Sequence, residues 1–521
     1  MSSKTKVFAV IGMIILFFQA VVSSVTLYKV RKFDALPTKY MVLLVFCLTA
    51  ALILICVLQF FRIANVVADV VAVLLIIALI WMAGAVGKVQ DTLDNKIQAK
   101  ATKDIGMQVI VMDTSESDDI KDYANESFGM CSAADTSDYP ERAIQYYADV
   151  IGNDITVVDY SSEFDMARAL VKGEIKVAII NAAHTAMIDD MFFALDETDE
   201  CYLGLDEGNP IGLTDVTRVI DSYVITEKVE EPTGIAEEDG DRELISTSIS
   251  PFVIYISGID TEGDISTVSR SDVNVLVCVN PVTKQILFVT TPRDSYVQIP
   301  EVSGRYYDKL THAGLYGSKC SASIATLENI FGVDVDFYMR VNFTSAVNVV
   351  DALGGVSIYS DYTFESQNVK GYSFYKGYND VDGEAALAFC RERYSFPDGD
   401  YQRGRNHTEM VKAILKKAMS PAILSAYTDI LDEVATNIET NMTTSEITEL
   451  VKMQLGDGAE WNFVTWSIEG INGGAQQLRT CYSSGSTPLY VTILDNDSIQ
   501  TACDLMEKVL NGETITQPER D

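Results

Sequence analysis

Apolar residues run almost unbroken through the first ninety positions and then give way to short periodic segments. Three runs, Val7 to Tyr28, Tyr40 to Phe61 and about Val66 to Val86, are each as long as a helix needs to cross a bilayer. They are too many and too long for a cleaved signal peptide. Asp69, near the start of the third run, predicts a position facing another helix or the interface rather than lipid. A polar, weakly helical stalk follows from Lys88 to Lys103, so 1–104 reads as a membrane region. Beyond it the period changes. Met107 to Met112 reads as a strand, and Thr114 to Asp138 carries no period. Ala143 to Val150, Ile155 to Tyr160, Ser162 to Val171 and Ile175 to Asn181 then alternate helix and strand, predicting a small α/β accessory domain over 105–228. The acidic stretch 229–247, with Pro232, Gly234 and Gly240, predicts a linker.

From 248 to 521 a second soluble domain opens on the buried-strand pattern PFVIYISGID, with Asp260 at the end of the strand, where open α/β sheets tend to place ligand groups. Val273 to Val279 and Gln285 to Thr290 form a hairpin pattern around Asn280-Pro281. Helices are predicted at Ser321 to Phe331, Thr344 to Leu353 (ended by Gly354-Gly355), Ala422 to Ile438, Thr444 to Leu455 and Asp495 to Leu510. Strands are predicted at Asp336 to Asn342, Val356 to Ser360, Asn462 to Ser467 and PLYVTI.

Charge changes the picture. Residues 105–521 hold 28 basic against 69 acidic residues, which leaves no basic footprint for nucleic acid. Against that background CRERYSFPDGDYQRGRNH, from Cys390 to His407, gathers four arginines, two aspartates and a histidine. Guanidiniums about 7 Å apart repel by roughly 2 kcal/mol per pair at an effective dielectric of about 20. Some anion, in the protein or bound to it, should compensate. If Ala388 to Tyr394 is extended, Arg391 and Arg393 share a face and Glu392 takes the other. Asp400 reads as the N-cap of a helix running to about Met419, on which Asp400, Arg403 and His407 share a face continued by Met410, Val411 and Ile414. The internal alternative is a network of these arginines with Asp398, Asp400 or Glu392.

The cysteines show no metal-type spacing. Cys278 and Cys390 lie in apolar, strand-like runs and read as buried, and Cys131 with Cys201 is a candidate disulfide for an oxidising compartment. His184 and His312 read as structural.

The blocks GID, SRSD, PRDSYV, KLTHA, VNF, DALGGV, DGEAALAFCRER and GDYQRGRN, in this order, resemble the LytR-CpsA-Psr family of cell-wall glycopolymer ligases from about Ser250 onward. Three spans followed by an acidic α/β module are similar to its capsule-type branch, whose extra domain resembles a DNA-polymerase processivity fold. The resemblance implies a three-layer α/β/α catalytic domain with a mixed sheet, outside the cell membrane of a Gram-positive bacterium. It implies transfer of a capsular polysaccharide or teichoic acid from undecaprenyl pyrophosphate to peptidoglycan, with Mg²⁺. The orientation matters because Lys29, Arg31, Lys32 and Lys39 crowd the first loop, and their count alone would place the soluble part in the cytoplasm. By the same resemblance, Asp260 and Asp272 match metal carboxylates. Arg270, Arg293, Arg391, Arg393 and Arg403 match a pyrophosphate clamp, and Asp400 an acid at the head of the helix. His407 stands where the family usually carries Gln, adding a donor to phosphate whose charge varies near pH 6.5.

The chemistry asks for these residue types on its own account. Planar guanidiniums bind phosphate oxygens in pairs and stay charged at any working pH. Two carboxylates suit a hard cation that completes its shell with phosphate oxygens. A wall hydroxyl needs a base, for which Asp400 and Asp294 both qualify. A non-catalytic membrane receptor for prenyl pyrophosphates or wall fragments is the competing function.

Overall fold

The computed structural model describes the chain except residues 1–2, 60, 62–63, 96–101, 135–137, 207–208, 229–244, 260–264, 266, 318, 421–437, 486 and 519–521. The expected linker and the expected helix at Ala422 to Ile438 thus lie largely outside the described residues. Three helices, α1 (Ser3–Phe33), α2 (Thr38–Leu58) and α3 (Ala64–Asn95), are long and apolar enough to cross a membrane. They are joined by polar contacts: the Thr26 hydroxyl donates to the Leu79 carbonyl at 3.2 Å, and Gln59 Nε2, at the end of α2, to Asp69 Oδ1 at 2.5 Å. Asp69 therefore faces a neighbouring helix, as its charge demands.

The accessory domain is a five-stranded mixed sheet. Its strands are β1 (Thr102–Met112), β2 (Ser127–Met130), β3 (Thr156–Asp159), β4 (Val177–Asn181) and β5 (Thr217–Lys228), in the order β3-β2-β4-β1-β5. Helices α4 (Tyr139–Ile151), α5 (Glu163–Val171) and α6 (Thr185–Phe193) pack against it. The stretch read as patternless contains β2 and the turn Ile120–Tyr123. Four residues are too short a strand to show alternation beside so many Ser and Asp. Cys131 and Cys201 are both free thiols, not a disulfide. Cys201 packs in the core under α5 and α6, which Cys131, at the end of β2, does not join.

The second domain is built on a six-stranded mixed sheet. It comprises β6 (Phe252–Ile259), β7 (Ser271–Asn280), β8 (Gln285–Thr290), β9 (Phe337–Asn342), β10 (Ile438–Thr440) and β11 (Asn462–Ser467), in the order β10-β9-β6-β7-β8-β11. The β6–β9 and β8–β11 pairs are parallel and the others antiparallel. Period-two alternation assigns the faces. Val253, Tyr255, Leu276, Cys278, Leu287 and Val289 face α7 (Ser321–Phe331) and the closing helix at Asn496–Leu510. Phe252, Ile254, Ile256, Val275, Val277, Val279, Ile286 and Phe288 face the opposite layer. That layer holds α8 (Phe343–Ala352), α9 (Gly383–Arg391), α10 (Gly399–Ala418) and α11 (Thr444–Asp457). The result is three layers, α/β/α. β12 (Pro488–Val491) lies at the border with the accessory domain, where Leu489 and Val491 share a core with Met187 and Met191 of α6.

Two readings around the arginine stretch change. Of the stretch 388–394 read as extended, residues 388–391 are helical and belong to α9. The Asp382 carboxylate caps that helix by accepting the Ala385 N–H at 2.9 Å, and Cys390 is on it. Helix α10 starts two residues earlier than expected, so Asp398 is its N-cap and Asp400 lies inside the first turn.

Candidate active site

Between the second sheet face and the layer of α8, α10 and α11 lies a cavity of about 1770 Å³. Ile254, Ile256, Val277, Val279 and Ile286 form its floor. Val349, Met410, Val411, Ile414 and Leu450 form its roof. The apolar stripe predicted on α10 therefore lines this cavity while also closing the core, where Met410 and Ile414 pack in one cluster with Val350 and Phe389. One end is polar: Asp272, Arg391, Arg393, Arg403 and His407. Another part of the wall carries Leu36 from the connection between α1 and α2, with Lys39 and Tyr40 from the first turn of α2. This part of the chain is fastened to α11 by an ion pair between Asp34 and Lys452 at 2.8 Å and by a hydrogen bond from Lys39 Nζ to the Gly456 carbonyl.

A bulge places Asp272 on the wall. Gly258 pairs with Val273 but Ile259 pairs with Ser271, so Asp272 is the extra residue, and it lines the cavity together with its neighbour Val273. Bulges re-aim side chains beside sites in this way. The close approach needs glycine at 258, since a Cβ there would lie 2.7 Å from Val273 Cβ.

Asp272 is held by both oxygens. Oδ2 accepts from Arg293 Nη1 at 2.8 Å and Oδ1 from the Thr311 hydroxyl at 2.8 Å. Burial opposes its ionisation, but the charges of Arg293, Arg270 and Arg403 prevail and hold the carboxyl well below the ordinary aspartate range. Arg293 lines a narrow cleft that shares Asp272, Arg403 and His407 with the main cavity.

The remaining charges form a chain behind this wall. Lys309 Nζ lies 3.0 Å from Asp294 Oδ1 and 2.8 Å from Asp190 Oδ2, and Arg270 Nη1 is 3.3 Å from the same Asp190 oxygen. Gln476 Nε2 donates to Asp294 Oδ2 at 3.0 Å, and Arg293 Nε is 3.9 Å from that oxygen. Burial works against the Asp294 anion, yet Lys309 and Arg293 keep its pKa well below the usual value. Asp294 is thus engaged behind the cavity wall, which removes the geometric basis for reading it as the base. Arg270, expected in the clamp, is turned to Asp190 instead.

Arg391 and Arg393 reach the cavity by a route the extended reading missed. The chain leaves α9 through a turn organised by buried Glu392. Its Oε1 accepts the N–H groups of Arg393, Tyr394 and Ser395 at 2.8–3.0 Å, and its Oε2 accepts that of Gln367 at 2.6 Å. Glu392 is therefore engaged by backbone. Asp398 pairs with Arg405, so the internal network is present at that arginine. Arg393 also lies over the Tyr394 ring, 4.6 Å from its centroid. His407 Nε2 donates to the Cys390 carbonyl at 2.8 Å, tying α10 to α9. Asp400 sits in the first turn of α10, and Asp260 lies outside the described residues.

Both structural histidines keep that role in the geometry. His312 is fully buried with Nδ1 2.7 Å from Asp308, and His184 Nδ1 is 2.9 Å from Glu163 Oε2. Sequence reasoning missed Lys309 and Asp190. Lys309 stands in the KLTHA block directly after Asp308, where nothing local marked it as buried. Asp190 gave no signal either.

The LytR_cpsA_psr family model matches residues 220–484, half of the chain. A Bacillus cereus protein named polyisoprenyl-teichoic acid--peptidoglycan teichoic acid transferase TagU is 31% identical over 216 residues, 42% of this chain and 68% of that one. The chain belongs to the LytR_cpsA_psr family. A protein of the same name from Enterococcus faecalis is 34% identical over 202 residues, 38% of this chain and 64% of its own length. Among solved structures, Bacillus subtilis TagV is 24% identical with a TM-score of 0.42, covering 51% of this chain and 99% of that one. A structure titled TagT bound to LI-WTA is 25% identical with a TM-score of 0.42, covering 54% and 99%. The family match starts inside β5, so most of the accessory domain lies outside it.

Proposed function

We propose that this protein is a phosphotransferase that moves a glycopolymer, a teichoic acid or capsular polysaccharide, from undecaprenyl pyrophosphate to peptidoglycan on the outer side of the membrane. One observation carries the reading: a single apolar cavity with guanidiniums and a carboxylate at one end and the membrane-helix connection in its wall. A cavity of this size that opens to solvent does not stay empty. It must hold water or an apolar chain, and its aliphatic lining favours the chain. A prenyl tail with a diphosphate head matches both ends, and the α1–α2 connection offers it a route from the bilayer. The relatives' names, which couple a polyisoprenyl-linked polymer to peptidoglycan, support the same donor and acceptor classes.

In this reading the Arg391, Arg393 and Arg403 guanidiniums grip the unesterified diphosphate oxygens. An acceptor hydroxyl oxygen attacks the phosphorus that bears the sugar, and the bond from that phosphorus to the bridging oxygen breaks. Polyprenyl monophosphate leaves, and the acceptor proton passes to a base, for which Asp400 is the candidate. Catalysis is then positioning and charge stabilisation. Asp272 suits a magnesium ion: it is ionised, buried at the cavity wall, and each oxygen keeps a lone pair beyond its bond to Arg293 or Thr311. Asp260, one residue past β6, would be its partner. The ion would neutralise charge that develops on the diphosphate.

The test uses the full chain in lipid nanodiscs with a prenyl-diphosphate-linked oligosaccharide, peptidoglycan fragments and Mg²⁺, and follows release of prenyl monophosphate. Arg403→Gln should lower release about a hundredfold, the scale of one lost transition-state donor. Donor binding without release by the wild type would make the protein a receptor instead. An alkaline-phosphatase fusion after Lys88 checks the side of the membrane, and an inactive fusion would refute the extracytoplasmic placement.

A further inference from the structure

Helix α6 of the accessory domain carries two adjacent acids with different destinations. Asp189 serves its own domain, accepting the Thr214 N–H at 3.0 Å and its hydroxyl at 2.6 Å. Asp190 is rotated about 100° further round the helix and reaches the catalytic domain. Its Oδ2 accepts from Lys309 Nζ at 2.8 Å and Arg270 Nη1 at 3.3 Å. Arg270 Nη1 also donates to the Ala186 carbonyl, one turn earlier on α6, at 3.2 Å. Lys309 is 4% exposed and Arg270 8%, so both cations depend on protein anions rather than water. Lys309 joins Asp190 to Asp294, Asp294 lies beside Arg293, and Arg293 holds Asp272 on the cavity wall. The seam around this contact is apolar, with Met187 and Met191 of α6 in one cluster with Leu489 and Val491 of β12.

We propose that Asp190 is a positioning residue of the transfer site, and that the accessory domain completes this site by supplying the carboxylate that fixes Arg270 and Lys309. The proposal rests on the reading of the arginine-lined cavity as a diphosphate site. Without the Asp190 charge, two nearly buried cations are left to Asp294 and Asp272. Arg270 then competes with Arg293 for Asp272, and the carboxylate at the bulge loses its single orientation. The same change removes a negative charge from the neighbourhood of the bound anion. Positioning and affinity therefore move in opposite directions, which a purely structural contact would not produce.

The experiment compares wild type, Asp190→Asn and Asp190→Glu as full chains in nanodiscs. It measures kcat for prenyl monophosphate release, Kd for inorganic pyrophosphate by calorimetry, and Tm. Asp190→Asn should lower kcat at least tenfold while its pyrophosphate Kd stays equal or falls, and Asp190→Glu should restore kcat to within threefold of wild type. A smaller loss of kcat, no recovery in Asp190→Glu, or a loss accompanied by weaker pyrophosphate binding overturns the proposal. Should Asp190→Asn fail to fold, the double variant Asp190→Asn with Arg270→Gln, which removes an anion together with one of its cations, is compared with Arg270→Gln alone. A further tenfold fall in kcat is expected, because Lys309 also depends on Asp190, and equal rates overturn the proposal. Failure of the diphosphate reading looks different: wild type and Arg403→Gln would then show the same pyrophosphate titration.

Discussion

Replacing Gly258 by alanine tests how β6 and β7 build the wall that presents Asp272. The added Cβ would lie 2.7 Å from both Cβ and Cγ2 of Val273 on the paired strand. Carbon atoms in contact prefer about 3.5–4.0 Å, so the strands must part by close to 1 Å. A rotamer change cannot relieve this, because one of the two atoms is Cβ itself. Overpacking of this kind costs about 1–3 kcal/mol, which for a domain of this size lowers Tm by roughly 2–12 °C. The displacement falls on the bulge, and a shift of about 1 Å at a reacting centre can cost roughly a hundredfold in rate. Activity should therefore fall further than stability. Differential scanning fluorimetry gives the first quantity, and prenyl monophosphate release at a temperature where both proteins are folded gives the second. Val273→Gly in the same chain removes both contacted atoms and should recover most of the rate, less about 0.5–1 kcal/mol of stability for a glycine inside a strand. If Gly258→Ala melts within about 1 °C of wild type at full activity, or Val273→Gly brings no recovery, the close approach is not what holds Asp272.

Gly404 offers the opposite sign. It lies inside α10, where a Cβ would meet Thr290 Cγ2 at an ordinary 3.6 Å, so Gly404→Ala should raise stability by up to about 1 kcal/mol, read as a higher Tm. His407→Gln keeps an amide donor for the Cys390 carbonyl but removes an imidazole that can take up a proton. Wild-type activity should decline with rising pH between about 6 and 8, the variant's profile should be flatter, and matching profiles would remove the imidazole charge from the account. Val277→Trp fills the middle of the cavity floor from β7. Val277 is 2% exposed, so the added bulk should cost about 1–3 kcal/mol, read as a lower Tm; where the variant is folded it should block a long prenyl donor and spare a short one, and equal loss with both donors would sever the cavity from the tail.

Local chemistry made much of the fold legible. Helix α7 and strand β11 run over the residues expected, and the pair Gly354-Gly355, both at positive φ, ends α8 as read. The misreading of 388–391 as extended followed Arg391, Glu392 and Arg393 as an alternating pattern. Asp382, three residues ahead of the run AALAF, was a visible cap that pointed to the helix instead. The arginine cluster was legible because its members are close in sequence and like-charged. The chain through Lys309, Asp294 and Asp190 was not, because Asp190 lies 119 residues before Lys309 and on another domain. An acid on a helix of an acidic protein looks like any solvated acid until the docked surface is known.

Part of the repulsion implied by clustered arginines is settled inside the protein, and the acids divide between pairing with cations and shaping the backbone. Behind the wall each cation has a carboxylate of the folded chain: Arg405 has Asp398, Arg293 has Asp272, Arg270 has Asp190, and Lys309 has both Asp190 and Asp294. Glu392, the acid nearest Arg391 and Arg393 in sequence, is instead engaged by backbone N–H groups, which hold its carboxyl below the ordinary range against the effect of burial. A sequence selected only to neutralise its guanidiniums would turn that carboxylate toward them. Here it fixes the turn that carries Arg391 and Arg393 to the cavity wall, so burying this acid serves the placement of the pair rather than their neutralisation.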